Sequence, residues 1–152
     1  MKNKETKHLI NEMKCVFPSY SVNESLARSL AFSFVCQANP TVSELADIKC
    51  AVSEAVTNAI VHAYPDTLGK IVVRVRLLDG GVLEIAVYDW GRGIADVEKA
   101  REPLFTTGGE ERSGMGFTIM ESFMDTLKIR SRPGKGTVVT MRKRIAQRAG
   151  RA

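Results

Sequence analysis

The sequence predicts an α+β domain: a two-layer α/β sandwich in which helices cover one face of a mixed, mainly antiparallel sheet. Two stretches between residues 21 and 63 repeat apolar side chains every three or four positions, which is the period of a helix with one buried face. The later strand-like stretches form two pairs, each joined by a short turn that contains glycine. Because helices and strands are segregated along the chain, we expect a layer of helices packed on a sheet.

The length and composition fit one soluble domain. The chain has 152 residues, of which 44% are apolar, and this length is enough to bury a core. It contains no apolar run of membrane-spanning length and no signal-like N-terminus, so we expect a cytoplasmic protein without membrane attachment. The three cysteines are widely spaced and odd in number, which argues against disulfides and a zinc site. We expect small, buried side chains at Cys15, Cys36 and Cys50.

Positive charge is concentrated at the two ends of a chain whose formal net charge is +5. We divide the chain into a loose leader at residues 1–9, a domain at residues 10–142 and a basic tail at residues 143–152. Basic termini are usually solvated, and no nucleic-acid motif accompanies these, so we expect no direct nucleic-acid partner. DNA binding through the basic ends is an alternative that a steep salt dependence would reveal.

The first part of the chain predicts a strand followed by a helix. Residues 13–17 alternate between apolar and polar side chains, which indicates a short strand ending at Pro18. Ser21 and Glu24 have the spacing of a capping box and start an amphipathic helix. Asn39-Pro40 ends that helix.

A second helix, from Val42 to Ala63, carries the clearest chemical signal. Thr41 and Glu44 form a capping box at its start. Glu54 and Asn58 lie one turn apart, so their side chains can reach the same small volume. The amide oxygen of Asn58 suits Mg²⁺ beside phosphate, since it adds no charge. The Glu54 carboxylate can orient or deprotonate a nucleophile, although such a pair taken alone is more often a solvated helix edge.

Two antiparallel hairpins complete the predicted sheet, the first with the turn Asp79-Gly80-Gly81. Between the hairpins lies a polar, weakly periodic stretch with a short helix near Val97–Arg101. A further helix opens at Gly114. The predicted strands cover residues 71–78, 82–88, 127–131 and 137–141.

The segment Asp89-Trp90-Gly91-Arg92-Gly93 ends the second predicted strand of the first hairpin. An aspartate at a strand end can accept a hydrogen bond from an exocyclic amine in a pocket. Gly91 and Gly93 would let the backbone approach a flat ring closely. Taken alone, such a segment is more often simply a turn that carries an aspartate.

Three further stretches suggest phosphate and base contacts. Gly114-Met115-Gly116 directly precedes a helix, and backbone N–H groups at a helix start bind phosphate well. Thr106-Thr107 is rich in hydroxyl groups, and Arg112 can reach a terminal phosphate. The hydroxyl of Thr137, in Gly136-Thr137, could support the base-binding Asp89 directly or through water. A lone glycine pair before a helix is a weak signal.

Together these stretches resemble the nucleotide-binding domain shared by DNA gyrase, the ninety-kilodalton heat-shock chaperone, histidine kinases and MutL. Glu54 to Ala59 is similar to the first motif of that superfamily, and Asp89 to Gly93 to the second. Gly114-Met115-Gly116 is similar to the third, and Gly136-Thr137 fits the final base contact. The resemblance covers about residues 11–142. It implies a bound ATP or ADP with Mg²⁺ held through Asn58, with Gly91, Gly93, Thr106 and Thr107 in the nucleotide site.

A narrower resemblance, to the anti-sigma factor serine kinases of spore-forming bacteria and to their sporulation members most of all, rests on residues 52–60, 103–107 and 111–120. It implies a homodimer that holds a sigma factor away from RNA polymerase when ATP is bound. It also implies phosphorylation of a serine on an anti-anti-sigma protein, with Glu54 and Arg112 as catalytic residues. Residues 23–28 resemble the partner-binding helix, which assigns Glu24 and Arg28 to partner binding.

The sequence departs from these relatives at Trp90, where they usually carry an acidic residue, and at Gly108-Gly109, where they tend to be slightly longer. Besides DNA binding, three other functions are compatible with the sequence. The chain could be a nucleotide-gated binding module without phosphotransfer, or an anti-sigma kinase of a general stress response. It could also be the catalytic fragment of a histidine kinase, although it shows no separate pair of phosphoacceptor helices.

Overall fold

A computed structural model of the chain describes residues 8–102 and 116–146. Its helices are α1 (Val22–Val35), α2 (Val42–Asn58), α3 (Val97–Ala100) and α4 (Gly116–Phe123). Its strands are β1 (Leu9–Pro18), β2 (Lys70–Leu78), β3 (Val82–Asp89), β4 (Thr126–Arg132) and β5 (Gly136–Arg144). Among the residues so described, none of the helices combines the length and apolarity that a bilayer crossing needs.

The described strands form one sheet in the order β1-β2-β3-β5-β4. This confirms the predicted α+β class, although all four described pairings are antiparallel and the sheet is therefore not mixed. The β2–β3 hairpin turns at Asp79-Gly80-Gly81 as predicted, with positive φ at both glycines. The pairing of β3 with β5 sets Asp89 opposite Thr137.

The core lies between the sheet and the helices α1, α2 and α4. Ile48, Val52 and Val56 of α2 are fully buried against the inner face of the sheet. Met120 of α4 joins the same core. This packing fixes α2 over the strands that carry the second motif.

The two predicted capping boxes have opposite outcomes. Thr41 accepts a hydrogen bond from the backbone N–H of Glu44, whose side chain accepts one from the Thr41 N–H, so this box is confirmed. The box at Ser21 is wrong. Ser21 already has helical backbone angles and makes no side-chain cap bond. The Glu24 carboxylate instead binds Arg28 and the hydroxyl of Ser53 on α2.

Several element boundaries differ from the prediction. The first strand begins at Leu9 rather than near residue 13. The long helix predicted to end at Ala63 is α-helical only to Asn58 and continues as a π-helical turn, Ala59–Ala63. The expectation of buried cysteines is wrong for Cys36 and Cys50, which are exposed, because Cys36 follows the end of α1 and Cys50 lies on the outer side of α2.

The outer face of the sheet, opposite the helices, divides into a charged part and an apolar part. The buried Glu84 forms ion pairs with Arg142, at 2.6 Å, and with Arg74 and Arg76, at 3.4 Å each. The apolar part includes Val16 and Trp90, whose exposed fractions are 58% and 50%.

Candidate functional site

The first and third sequence motifs meet at the start of α4. A methyl group placed on Gly116 would lie 3.0 Å from Asn58 Nδ2 and 3.4 Å from Glu54 Oε2. Glu54 and Asn58 therefore face the same small volume, as their spacing on α2 predicts. A side chain at position 116 would occupy the space in front of both groups, so glycine at this position keeps that volume open.

The packing of α4 on α2 produces this juxtaposition. Met120, one turn into α4, is buried in the core beside the apolar stripe of α2. Because Met120 fixes the first turn of α4, the N-terminal end of this helix is directed at the polar edge of α2. The first backbone N–H groups of a helix carry a partial positive charge and lack intrahelical partners. An anionic group could therefore bind there, in front of Asn58.

Asp89, from the second motif, is a buried carboxylate at the end of β3, with an exposed fraction of 9%. Its Oδ1 accepts hydrogen bonds from the backbone N–H groups of Gly91, at 3.0 Å, and Thr137, at 3.2 Å. Among the described residues, none donates to the other oxygen, Oδ2. Burial raises the pKa of the Asp89 carboxyl above its ordinary value, and the two N–H donors oppose that rise.

Gly91 and Gly93 are required by contacts within the protein, in addition to the close approach to a ring that the sequence suggests. A methyl group on Gly91 would lie 2.3 Å from the carbonyl oxygen of Ala63. Gly93 has a φ of +74°, and a methyl group there would lie 2.1 Å from the carbonyl oxygen of Arg132. The segment 89–93 is thus packed between the π-helical turn and the β4–β5 turn.

Thr137 contacts Asp89 directly through its backbone. The sequence predicts that the Thr137 hydroxyl supports Asp89 directly or through water, whereas the direct contact in the structure is made by the backbone N–H. The hydroxyl lies 2.8 Å from Ser131 Oγ instead. Ser131 also accepts a hydrogen bond from the backbone N–H of Ile94 at 2.7 Å. Thr137 lies opposite Ser131 in the register of β4 with β5, so the two side chains share one face of the sheet, which sequence spacing alone does not show.

Two residues near the site were missed in the sequence. Ser131 ties the segment that follows Gly93 to strand β4, as described above. Tyr64, just past the π-helical turn, places its hydroxyl 2.7 Å from the backbone nitrogen of Trp90. Neither residue belongs to a motif, and a tyrosine after a helix or a serine in a strand gives no recognisable sequence signal.

The remaining predicted site residues divide into two groups. Thr106, Thr107, Arg112, Gly114 and Met115 lie outside the described residues. Glu24 and Arg28 lie on α1, where they form an ion pair at 3.2 Å, and they belong to a different surface from the Glu54–Asn58 pair. Within residues 8–102 and 116–146, no group of three histidine, cysteine or acidic side chains is placed to hold a metal ion.

The chain is similar in sequence to one described family and to proteins that carry a name. Residues 18–143 match the family described as "Histidine kinase-like ATPase domain". A protein named Anti-sigma F factor from Caldanaerobacter subterraneus subsp. tengcongensis is 54% identical over 138 residues, which cover 90% of this chain and 96% of that protein. A protein of the same name from a Thermoanaerobacter species is 52% identical over 136 residues, covering 89% of this chain and 94% of that protein.

The fold has counterparts among solved structures. A crystal structure of RsbU and RsbW domains from Mycobacterium tuberculosis superposes with a TM-score of 0.66 and 22% sequence identity, covering 90% of this chain and 32% of that chain. At this level of identity, the likeness supports the fold alone.

Replacing Asp89 by Asn should raise the thermal unfolding temperature, Tm, of the unliganded chain at pH 7. The pKa of the Asp89 carboxyl is higher in the folded state than in the unfolded state, where it is about 3.9. Asp89 therefore contributes most to the free energy of unfolding below about pH 3.9, where the carboxyl is protonated in both states. That contribution is lost as the pH rises through the higher pKa of the folded state. The gain in Tm should therefore grow between about pH 4 and pH 7. Asn can still accept both backbone hydrogen bonds.

Thermal unfolding followed by circular dichroism across this pH range measures the effect. Asp66→Asn, an exposed carboxyl in the loop before β2, is the matched control and should leave Tm nearly unchanged. A Tm for D89N at or below that of the wild type at pH 7 would contradict the assignment of Asp89 as a desolvated charge.

Proposed function

Because the chain belongs to the histidine kinase-like ATPase family and, within it, to the anti-sigma F factors, we propose that it is an ATP-dependent anti-sigma factor and protein serine kinase. It would hold a sporulation sigma factor of the sigma F type in an ATP-dependent complex. It would also phosphorylate a serine of an anti-anti-sigma protein. The observation that carries the proposal is the convergence of Gly116 with Glu54 and Asn58.

The segment 89–93 is suited to an adenine base. The Asp89 carboxylate is buried and fixed by two backbone donors, so one of its oxygens can accept a hydrogen bond from the 6-amino group of adenine. A base that lacks this amino group would leave the second oxygen of the Asp89 carboxylate without a donor, and such losses discriminate between ligands. Gly93 and Thr137 lie next to Asp89 and complete the proposed base site.

The opposite part of the site suits phosphates and Mg²⁺. Mg²⁺ commonly takes one or two protein oxygens and fills its remaining positions with phosphate oxygens and water. Asn58 can supply such an oxygen without adding negative charge. The metal would supply charge neutralisation on the phosphates. The backbone N–H groups at the start of α4 would bind phosphate oxygens, and we assign Arg112, Thr106 and Thr107 to the terminal phosphates from their sequence positions.

Glu54 is the proposed general base. Its carboxylate lies beside Asn58 at the start of α4, where the transferred phosphate would meet an incoming serine. As the serine oxygen bonds to the γ-phosphorus, Glu54 accepts the hydroxyl proton and the bond from the γ-phosphorus to the β,γ-bridging oxygen breaks, leaving ADP. Positioning and charge stabilisation account for most of the catalysis in such transfers, and the base adds to them.

Replacing Glu54 by Gln should lower phosphotransfer about 100-fold or more, because a general base contributes about 10²- to 10⁴-fold to such a step. ADP affinity should stay near that of the wild type, since Gln retains the shape of the side chain. Transfer of labelled γ-phosphate to a purified anti-anti-sigma protein measures the first effect, and calorimetric titration with ADP measures the second.

Glu98→Gln on the short helix α3 is the control, since Glu98 is exposed. Transfer at the wild-type rate in E54Q would remove the assigned role of Glu54. A wild-type chain that binds ATP but transfers no phosphate would favour the nucleotide-gated binding module.

The partner surface is proposed on α1, at Arg28 and Glu24. The Arg28 side chain is 38% exposed and the Glu24 side chain is 20% exposed. Glu24 also accepts a hydrogen bond from Ser53, the residue before Glu54 on α2. An ion pair one helical turn apart on a helix surface is worth only about 0.3–0.5 kcal/mol to the fold. Arg28 is therefore available to meet an acidic group on a partner at little cost in stability.

Replacing Arg28 by Glu should weaken the complexes with the sigma factor and with the anti-anti-sigma protein about ten-fold or more, because opposed like charges cost an interface several kcal/mol. Nucleotide affinity should change little, since Arg28 lies outside the nucleotide site. Surface plasmon resonance with each partner in the presence of Mg-ATP measures the effect. Lys128→Glu, on the edge strand β4, is the control. If R28E binds both partners as tightly as the wild type does, the assignment of this surface to partner binding is wrong.

We also propose that the chain forms a homodimer, as the resemblance to the anti-sigma kinases implies. The outer face of the sheet offers a surface for this contact, since the large apolar side chains of Val16 and Trp90 are half exposed or more there. Sedimentation equilibrium decides the point, and a monomer at concentrations well above the micromolar range would contradict it.

The names of the relatives favour the sporulation type over a general stress-response kinase. Two proteins more than 50% identical to this chain are both named Anti-sigma F factor. Co-purification from the native cell with mass spectrometry of the bound proteins distinguishes the two, because the two kinase types bind different sigma factors.

A further inference from the structure

We infer that Tyr64 is a positioning residue that fixes the adenine-binding segment 89–93 through its hydroxyl group, and thereby contributes to base selectivity. The inference rests on the proposed function, since it concerns the same nucleotide site. Tyr64 would not touch the nucleotide, and it acts through the backbone of Trp90, the residue that follows Asp89.

The Tyr64 hydroxyl joins two chain segments that are far apart in sequence. It donates a hydrogen bond to the carbonyl oxygen of Lys70 at 2.8 Å, at the start of β2. It accepts one from the backbone N–H of Trp90 at 2.7 Å, just past the end of β3. Because Trp90 lies beyond the last residue of its strand, the sheet ladder does not supply a partner for this N–H. The tyrosine replaces the missing ladder bond.

The Tyr64 ring is itself held in place. A methyl group on Gly69 would lie 2.1 Å from Tyr64 Cε1, so the ring packs directly on the Gly69 backbone. Gly69 in turn exchanges hydrogen bonds with Ser19 through its N–H, at 3.0 Å, and its carbonyl, at 2.9 Å. The Tyr64 hydroxyl is therefore held in a fixed position, so its hydrogen bond to the Trp90 N–H restrains the segment 89–93.

The π-helical turn Ala59–Ala63 supplies a second contact to the same segment. The carbonyl oxygen of Ala63 accepts a hydrogen bond from the backbone N–H of Arg92 at 3.2 Å. π-helical turns are rare in proteins, and those that do occur are frequently found at functional sites. Here the turn directs both the Ala63 carbonyl and the following Tyr64 toward the segment that carries Asp89.

The side chain of Trp90 is anchored independently on the outer face of the sheet. The Nζ of Lys70 lies 4.3 Å from its ring centroid, and the ring of Tyr88 stacks at 6.5 Å. Trp90 is thus held through its backbone by Tyr64 and through its ring by Lys70 and Tyr88. Loss of the hydroxyl bond alone should therefore loosen the backbone next to Asp89 without releasing the whole segment.

Burial raises the pKa of the Tyr64 hydroxyl above its ordinary value, so this group stays protonated through mildly alkaline pH and can keep donating to Lys70. The positioning effect should therefore be independent of pH between about 6 and 9.

The test compares Tyr64→Phe with the wild type by calorimetric titration in MgCl₂ with ADP and with purine riboside 5′-diphosphate, which lacks the 6-amino group. The variant should bind ADP about three- to ten-fold more weakly, the equivalent of one net hydrogen bond. The affinity for the purine analogue should fall less, so the ratio of the two affinities should decrease. Tyr20→Phe, at a tyrosine that is 52% exposed, is the matched control and should change neither affinity.

The outcomes separate this inference from the proposed function. No ADP binding by the wild-type chain would overturn both. ADP binding by the wild type with an unchanged affinity ratio in Y64F would overturn the inference alone, as would an equal loss for both ligands accompanied by a lower Tm. If Y64F does not fold, hydrogen exchange on the wild type decides: the Trp90 amide should be protected in the unliganded chain, and exchange at the rate of an open loop would contradict its bond to Tyr64.

Discussion

The burial of the apolar stripe of α2 between the sheet and α4 is the constraint on which the rest of the structure depends. Val52 and Val56 have no freedom to rotate out of the core, so the helix presents its polar edge, Glu54 and Asn58, in one direction only. The same packing brings the start of α4 to that edge. Close packing of the apolar face of α2 thereby fixes the positions of the polar side chains on its edge, because packed cores tolerate little displacement.

The proposed base site is built from features that cost stability. The desolvated carboxylate of Asp89 disfavours the unliganded fold, and Gly91 and Gly93, which the close backbone contacts require, lose more backbone freedom on folding than other residues would. The pairing of β3 with β5 offsets them, since the Thr137 N–H reaches Asp89. Features that lower the stability of the unliganded protein are common at ligand sites, where the bound ligand supplies the interactions that the protein alone does not make.

Features set by local sequence were predictable, and features set by distant neighbours were not. The box at Thr41 depends on a spacing of three residues, and the glycine turn depends on backbone freedom, so both are written in the sequence. Ser21 and Glu24 have the same spacing, yet the Glu24 carboxylate accepts hydrogen bonds from Arg28 and from Ser53, which lies on another helix. The pairing of Glu54 with Asn58 followed from helical periodicity. The Tyr64 contact to Trp90 joins positions 26 residues apart, which no local pattern encodes.

We propose that the polar edge of α2, the end of β3 and the start of α4 form one site for a purine nucleotide and its magnesium ion. Isothermal titration of the folded 152-residue chain with ADP and with ATP in magnesium buffer tests this most directly. We expect saturable heat with one nucleotide bound per chain, and weaker binding when magnesium is chelated. A folded chain that releases no heat with either nucleotide, and gains no thermal stability from them, would contradict it.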